Sequence, residues 1–267
     1  MAYNKYDLYE RSVQSAKTHV NWFVTLYKDI HNKYPKHLRE DFCGTFQVSC
    51  EWVKRNRNNT ALGLDLDPEP LAYGKRRNLS KLSSEQKSRL KVIKANVIDP
   101  TSEKHDLIYA GNFSIFIFKK RLELLSYFRG CLKSLKPNGT LILELAGGPG
   151  MISTGKETKT VRMGAGRKKD QKFVYVWDQK DFDPISHKAE YAIHFKLPNG
   201  KTLRNAFEYD WRIWTLPETR DALAEAGFSR SYVYWETEHR GRGTGEFMRA
   251  EFADNAYSWI AYIVAVR

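Results

Sequence analysis

Two short segments carry residue types at a spacing suited to nucleotide chemistry. The first is His37-Leu38-Arg39-Glu40-Asp41-Phe42-Cys43-Gly44-Thr45, and the second is Gly63-Leu64-Asp65-Leu66-Asp67-Pro68. The first reads as a strand running into a tight turn that opens a helix. The second reads as an apolar strand that ends on a carboxylate. About twenty residues separate turn from carboxylate, the spacing of a nucleotide-binding strand–helix–strand unit. Free amides at a helix start favour electron-rich ligand atoms. Asp65, at the open edge of a parallel sheet, suits the hydroxyls of a ribose. Asp67, followed by Pro68, suits a helix cap. Together the segments predict an adenosine-containing cofactor. The chain has no G-x-G-x-x-G, which argues against NAD and FAD, and no G-x-x-x-x-G-K-[ST] phosphate loop.

The elements that must position these residues alternate. Residues 6–30 read as a helix, with Leu8, Val13, Ala16, Val20, Phe23, Val24 and Tyr27 at helical spacing. Strands are expected near 37–42, 60–65, 90–95, 105–111 and 139–146, with helices near 45–56, 69–80 and 119–135. This rhythm predicts a parallel sheet with helices on both faces. It stops after residue 146. Residues 146–170 read as a loop, and residues 171–214 as antiparallel strands with a hairpin at Pro198-Asn199-Gly200. Leu216–Ala226 reads as a helix ended by Gly227. Ser231–Trp235 and Tyr257–Val266 read as strands, with a polar, Gly-rich connection over 236–254. Gly241-Arg242-Gly243-Thr244-Gly245 resembles a phosphate loop but follows no strand–helix unit, so it reads as a flexible connection.

The 267 residues suffice for one large α/β domain and are few for two. No apolar run reaches the ~18 residues of a membrane span. Charges in the first thirty residues rule out a secretory core, and three scattered cysteines give neither a disulfide framework nor a metal pair. A cytoplasmic protein without a metal is expected. The formal charge is +13, and it is uneven: residues 1–150 carry 25 Lys/Arg against 15 Asp/Glu, and residues 151–267 carry 19 against 16. A basic half of this kind is either a solvated surface or a field that attracts nucleic acid.

The order Glu40-Asp41-Phe42-Cys43-Gly44-Thr45, Gly63-Leu64-Asp65, Ala95-Asn96-Val97, Asp106-Leu107-Ile108-Tyr109-Ala110-Gly111-Asn112 and Leu135-Lys136-Pro137-Asn138-Gly139 resembles the class I S-adenosylmethionine-dependent methyltransferases. The resemblance is strongest to a bacterial subgroup sharing E-D-F-C-G-T, D-L-D-P-E-P-L-A, N-F-S and Y-D-W-R-x-W-T-L-P-E. It implies a Rossmann-like, seven-stranded, mostly parallel sheet with an antiparallel insertion after strand five. Residues 1–34 would form a helical lid, 35–146 the cofactor half, 147–214 the loop and insertion, and 215–267 a C-terminal helix and strands. By position, Glu40, Cys43, Gly44 and Thr45 would surround the methionine part of the cofactor. Asp65 would hold the ribose, Leu66 the adenine face, and Asn96 and Val97 the adenine edge. Asn112 would lie where strand four opens onto the transferring methyl group. Two features depart from the family: Phe42 and Phe46 stand at glycine positions of the loop, and Asn96 stands where Asp is common.

Methyl transfer by in-line displacement asks mainly for orientation and exclusion of water, so no catalytic triad is required. In the insertion, alternation puts Leu203, Asn205, Phe207, Tyr209, Trp211 and Ile213 on one face. Glu208, Asp210, Arg212 and His194 lie on a polar face that is either solvated or part of the acceptor cleft. Arg212 beside Trp214 is a candidate clamp for an acceptor carboxylate or phosphate, and Glu208 is a candidate acid–base group. Tyr9 and Gln14 are candidates to touch the cofactor from the lid. The one-sided aromatic insertion favours a small-molecule acceptor. A nucleic-acid methyltransferase, favoured by the charge, and a non-catalytic binder of S-adenosylmethionine are the alternatives.

Overall fold

The computed structural model describes residues 3–13, 15–164, 171–239 and 242–267. Helices α1 (Lys5–Ser12) and α2 (Ala16–His31) lead into β1 (His37–Asp41), α3 (Gln47–Arg55), β2 (Thr60–Asp65), α4 (Pro68–Arg77), α5 (Ser84–Ser88) and β3 (Leu90–Lys94). Next come β4 (His105–Ala110), α6 (Arg121–Ser134), β5 (Leu135–Gly147), β6 (Gly155–Arg162), β7 (Lys172–Asp183), β8 (Lys188–Lys196) and β9 (Thr202–Arg212). The chain closes with α7 (Leu216–Ala226), β10 (Arg230–His239), β11 (Arg242–Arg249) and β12 (Trp259–Val266).

One sheet has the order β11-β10-β12-β5-β4-β1-β2-β3. Strands β1 to β5 pair in parallel, as the alternation of strands and helices predicts. β12, β10 and β11 continue the sheet antiparallel from β5. The second sheet is antiparallel, in the order β6-β7-β8-β9. The α/β architecture with an antiparallel insertion is therefore as expected, with three differences.

The parallel-rooted sheet has eight strands rather than seven, because β11 pairs with β10 where a polar connection was expected. Likewise, β6 pairs with β7 inside the expected loop over 146–170. Both are edge strands. β6 buries only Val161 along its length, and Phe247 is the buried apolar side chain of β11. An edge strand needs little apolar alternation, so neither leaves a strand pattern in the sequence. The third difference is the break of the expected helix 6–30 at Val13. The two halves have different partners. Leu8 of α1 packs with Val161, Phe173, Ile193 and Phe195 of the second sheet. Phe23 and Leu26 of α2 pack with Leu38, Tyr109 and Ile142 of the first. One straight helix cannot serve both surfaces.

A buried ion pair ties the first sheet together. Arg39 Nε donates to Asp41 Oδ1 at 2.6 Å, and its Nη atoms donate to Val97 O at 2.6 Å and Ser134 Oγ at 3.0 Å. Tyr127 donates to Asp41 at 2.9 Å. Asp41 is thus a structural group behind the loop. Among the described residues, no helix is long and apolar enough to cross a membrane, and no group of three His, Cys, Asp or Glu side chains could hold a metal.

Candidate active site

The parallel strands end on one edge, and the turn after β1 defines the site there. Three of its residues have left-handed backbones: Phe42 at φ +53°, Gly44 at +51° and Phe46 at +47°. A side-chain-bearing residue in this region costs about 1–2 kcal/mol. Burying a phenylalanine returns about 1.5–3 kcal/mol. Phe46 is fully buried, and Phe42 packs against Phe118 and Tyr127. The loop therefore makes glycine-like bends with phenylalanines, held by burial. Gly74 of α4 makes room for this: a Cβ there would meet the Phe46 ring at 2.4 Å and Thr45 O at 2.5 Å.

Phe46 sits at the N-cap of α3 and has no side chain to cap it. Glu40 supplies the missing acceptor, taking the Ser49 amide at 2.8 Å and the Ser49 hydroxyl. Burial pushes the Glu40 carboxyl up to about 8, against the two Ser49 bonds that lower it. Glu40 thus supports the loop from behind and does not line the cavity in front of it.

Asp65, at the end of β2, faces that cavity. Its Oδ2 accepts Gly44 N at 2.7 Å and its Oδ1 accepts Asp67 N at 2.8 Å. Burial raises its carboxyl above the usual range, and the backbone amides of Asp67, Gly44 and Leu66 oppose that shift. Two adjacent acceptors fit the vicinal hydroxyls of a ribose, so the donor set suits an adenosine cofactor. Asp67 caps α4, accepting Glu69 N at 2.9 Å.

The cavity measures about 490 Å³. Cys43, Gly44, Thr45, Asp65, Asn112, Tyr9 and Glu208 all line it. Leu66, Asn96 and Val97 do not. Leu66 is 57% exposed beside Asp65. Asn96 folds its side chain back to accept Ile98 N at 3.1 Å, and Val97 is buried behind the Arg39 contact. Gln14 lies outside the described residues, as does Gly241 of the glycine cluster. Arg212 is absent from the cavity walls. Its guanidinium stacks on Trp214 at 3.7 Å and donates to Lys119 O at 3.2 Å. It locks β9 to the segment before α6. Glu208 is held at the rim by Lys180 at 3.0 Å.

Helix α1 closes the cavity. Glu10 accepts the Thr45 hydroxyl at 2.6 Å and Asn78 Nδ2 at 2.7 Å. Lys5 pairs with Glu69 at 2.9 Å. Tyr6 and Tyr9 pack on Phe207 of β9 with ring centroids 5.6 and 4.8 Å apart. Glu10 and Phe207 were not singled out from the sequence: nothing local distinguishes them from a wet helix face and a core strand.

A second cavity of about 440 Å³ lies against the first. Tyr9, Asn112, Tyr209 and Trp211 line both. Its other walls include Trp177, Trp259, Gln179 and three acids: Glu144, Glu157 and Glu236. Glu144 did leave a signal, a carboxylate inside the apolar run Leu141-Ile142-Leu143-Glu144-Leu145. Asn112 and Phe113, after β4, have left-handed φ of +51° and +59°. Glu144 Oε2 holds this strained turn by accepting Asn112 N at 2.6 Å.

No family model matches the sequence, and no curated protein matches it in a sequence search. Solved structures do match. An amino-pentose methyltransferase of calicheamicin biosynthesis from Micromonospora echinaspora, solved with S-adenosylmethionine bound, aligns at TM-score 0.70 and 15% identity, covering 100% of this chain and 98% of that one. A sugar N-methyltransferase from a Streptoalloteichus species aligns at 0.65 and 19%, covering 100% and 96%. An S-adenosylmethionine-dependent methyltransferase from Clostridium acetobutylicum aligns at 0.69 and 15%, covering 98% and 99%. Over nearly its whole length, this chain has the fold of the class I S-adenosylmethionine-dependent methyltransferases.

Proposed function

We propose that this chain is an S-adenosylmethionine-dependent methyltransferase acting on an amino group of a small molecule. The observation that carries the reading is the pair of adjoining cavities with a common wall at Tyr9, Asn112, Tyr209 and Trp211. One cavity has the loop and carboxylate for the cofactor. The other is a cleft of small-molecule size. When bound, the cofactor supplies an electrophilic methyl group on a sulfonium. The chain's task is then to hold the acceptor in line and keep water out. Asp65 would hold the ribose, and Cys43, Gly44 and Thr45 the methionine part. Helix α1 excludes water through Tyr6 and Tyr9.

The amine follows from the second cavity's chemistry. Tryptophan and tyrosine faces attract cations, and carboxylates bind ammonium hydrogens. Trp177, Trp211, Trp259, Tyr209 and the three acids supply both. The amino-pentose and sugar N-methyltransferases of similar fold support the same reading. A nucleic-acid acceptor has less behind it. In the basic cluster 119–121, Lys119 is paired with Asp210 and Arg121 with Glu225.

Calorimetry with S-adenosylhomocysteine tests the cofactor site. Asp65→Ala is expected to weaken binding about 100-fold, the loss of two charge-assisted hydrogen bonds. Unchanged affinity would remove Asp65 from the site. Transfer of labelled methyl to amino sugars, with the matching neutral sugars left unlabelled, tests the acceptor.

A further inference from the structure

We propose that Glu144 is the specificity-determining residue of the second cavity, anchoring the acceptor's amino group through Oε1. This rests on the reading of that cavity as the acceptor site.

Glu144 is only 7% exposed, yet it is a wall of the cavity. A carboxylate taken out of water needs partners for its four lone-pair sites. The partners come from every element around it. Oε2 is filled by Asn112 N at 2.6 Å and the Tyr109 hydroxyl at 3.2 Å. Oε1 accepts only the Tyr262 hydroxyl at 3.3 Å among the described residues. His19 Nε2 of α2 stands at 3.9 Å, beyond hydrogen-bond reach, with its Nδ1 3.3 Å from the Tyr109 hydroxyl. One lone-pair site on Oε1 is therefore left for a donor, and the donor is to come from the cavity.

The other two acids are worse placed. Glu236 Oε1 is occupied by Gly245 N at 2.8 Å. Glu157 lies on an exposed edge strand, where water screens its charge. Lys159 also lines the cavity but forms no ion pair with Glu144 among the described residues. Because the same carboxylate holds Asn112, a group bound at Oε1 is fixed relative to the wall that both cavities share. That is how the acceptor nitrogen would be registered against the cofactor.

Three tryptophans line the cavity, so ligand binding there is readable by intrinsic fluorescence. The probes are cyclohexylamine and its uncharged counterpart cyclohexanol, each titrated into the protein saturated with S-adenosylhomocysteine. The wild type is expected to prefer the amine by about 10-fold or more, the worth of one charge-assisted hydrogen bond. Glu144→Gln should bring the two probes to within about two-fold of each other. Calorimetry should give Glu144→Gln an affinity for S-adenosylhomocysteine close to that of the wild type. The proposal is overturned if the wild type does not discriminate, or if Glu144→Gln still does. It is overturned equally if amine preference and S-adenosylhomocysteine affinity fall together, because Glu144 then acts only by holding the turn. Failure of the wild type to bind S-adenosylhomocysteine at all would instead sink the methyltransferase reading, and this proposal with it.

Discussion

The two cavities share a wall but are built in opposite ways. The first cavity takes its loop and carboxylates from short stretches, residues 42–45 after β1, Asp65 and Asp67 at the end of β2, and Asn112 after β4, with α1 and β9 closing over them. The second cavity takes one to three residues from each of many elements, among them Ser12 of α1, Glu144 of β5, Glu157 of β6, Gln179 of β7, Ile193 of β8, Glu236 of β10 and Trp259 of β12. The loop and carboxylates of the first are properties of a local strand–turn–helix path. The second exists only because the insertion folds over the end of the first sheet.

The sharpest way to break this contrast is to weaken the frame of the cofactor half. Arg39→Leu leaves Asp41 buried without its cation. It is expected to cost about 3–5 kcal/mol in urea denaturation, the range for breaking a buried pair. A loss below about 1 kcal/mol would show that the loop does not depend on that pair. Next in size is Gly74→Ala. The added methyl collides with Phe46 and Thr45 O, an overpacking that typically costs about 1–3 kcal/mol. If the loop is a local device, this substitution should weaken S-adenosylhomocysteine binding and spare tryptophan fluorescence from the acceptor cavity.

Glu40 sharpens the comparison through pH. Its carboxyl is raised from 4.5 to about 8 in the folded chain. Above pH 4.5 the unfolded chain releases this proton while the folded chain keeps it. The stabilising contribution is therefore complete below about pH 4.5 and declines until about pH 8, at about 1.4 kcal/mol per pH unit. Glu40→Gln removes the titration, so its stability should fall less steeply than the wild type's between pH 5 and 8. Parallel curves would mean that Glu40 is ionised in the folded state. The smallest effect is expected at Arg212. Arg212→Ala loses the Trp214 stack and the bond to Lys119 O, worth about 1 kcal/mol of stability. Neither S-adenosylhomocysteine affinity nor the amine preference should change; a tenfold change in either would put Arg212 back in the site.

The legibility of the chain follows the same division. β2, β4 and β12 were readable because each is buried and leaves an apolar run, and β1 because it runs into the Asp41–Thr45 turn. β6 and β11 were not, because as edge strands they keep most side chains in water. Phe42 and Phe46 looked like departures from a glycine loop. Their left-handed backbones show that burial can hold a bend that glycine would take freely. Arg212 and Trp214 were correctly seen as neighbours, but adjacency in sequence did not say which side of β9 faces a cavity. The break at Val13 was invisible because the helical spacing runs through it.

The amino-acid sequence alone determined the alternation of strands and helices, the turn at Asp41–Thr45 and the carboxylate of Asp65. Those features depend on residues near one another, through backbone preference and apolar period. The tertiary structure decided which polar groups face a cavity. Glu40 became a support and Glu144 a cavity wall, although both are acids in buried strands. What separates them is the neighbour across the sheet and the helix laid on top, and neither is specified by the residues beside them in the chain.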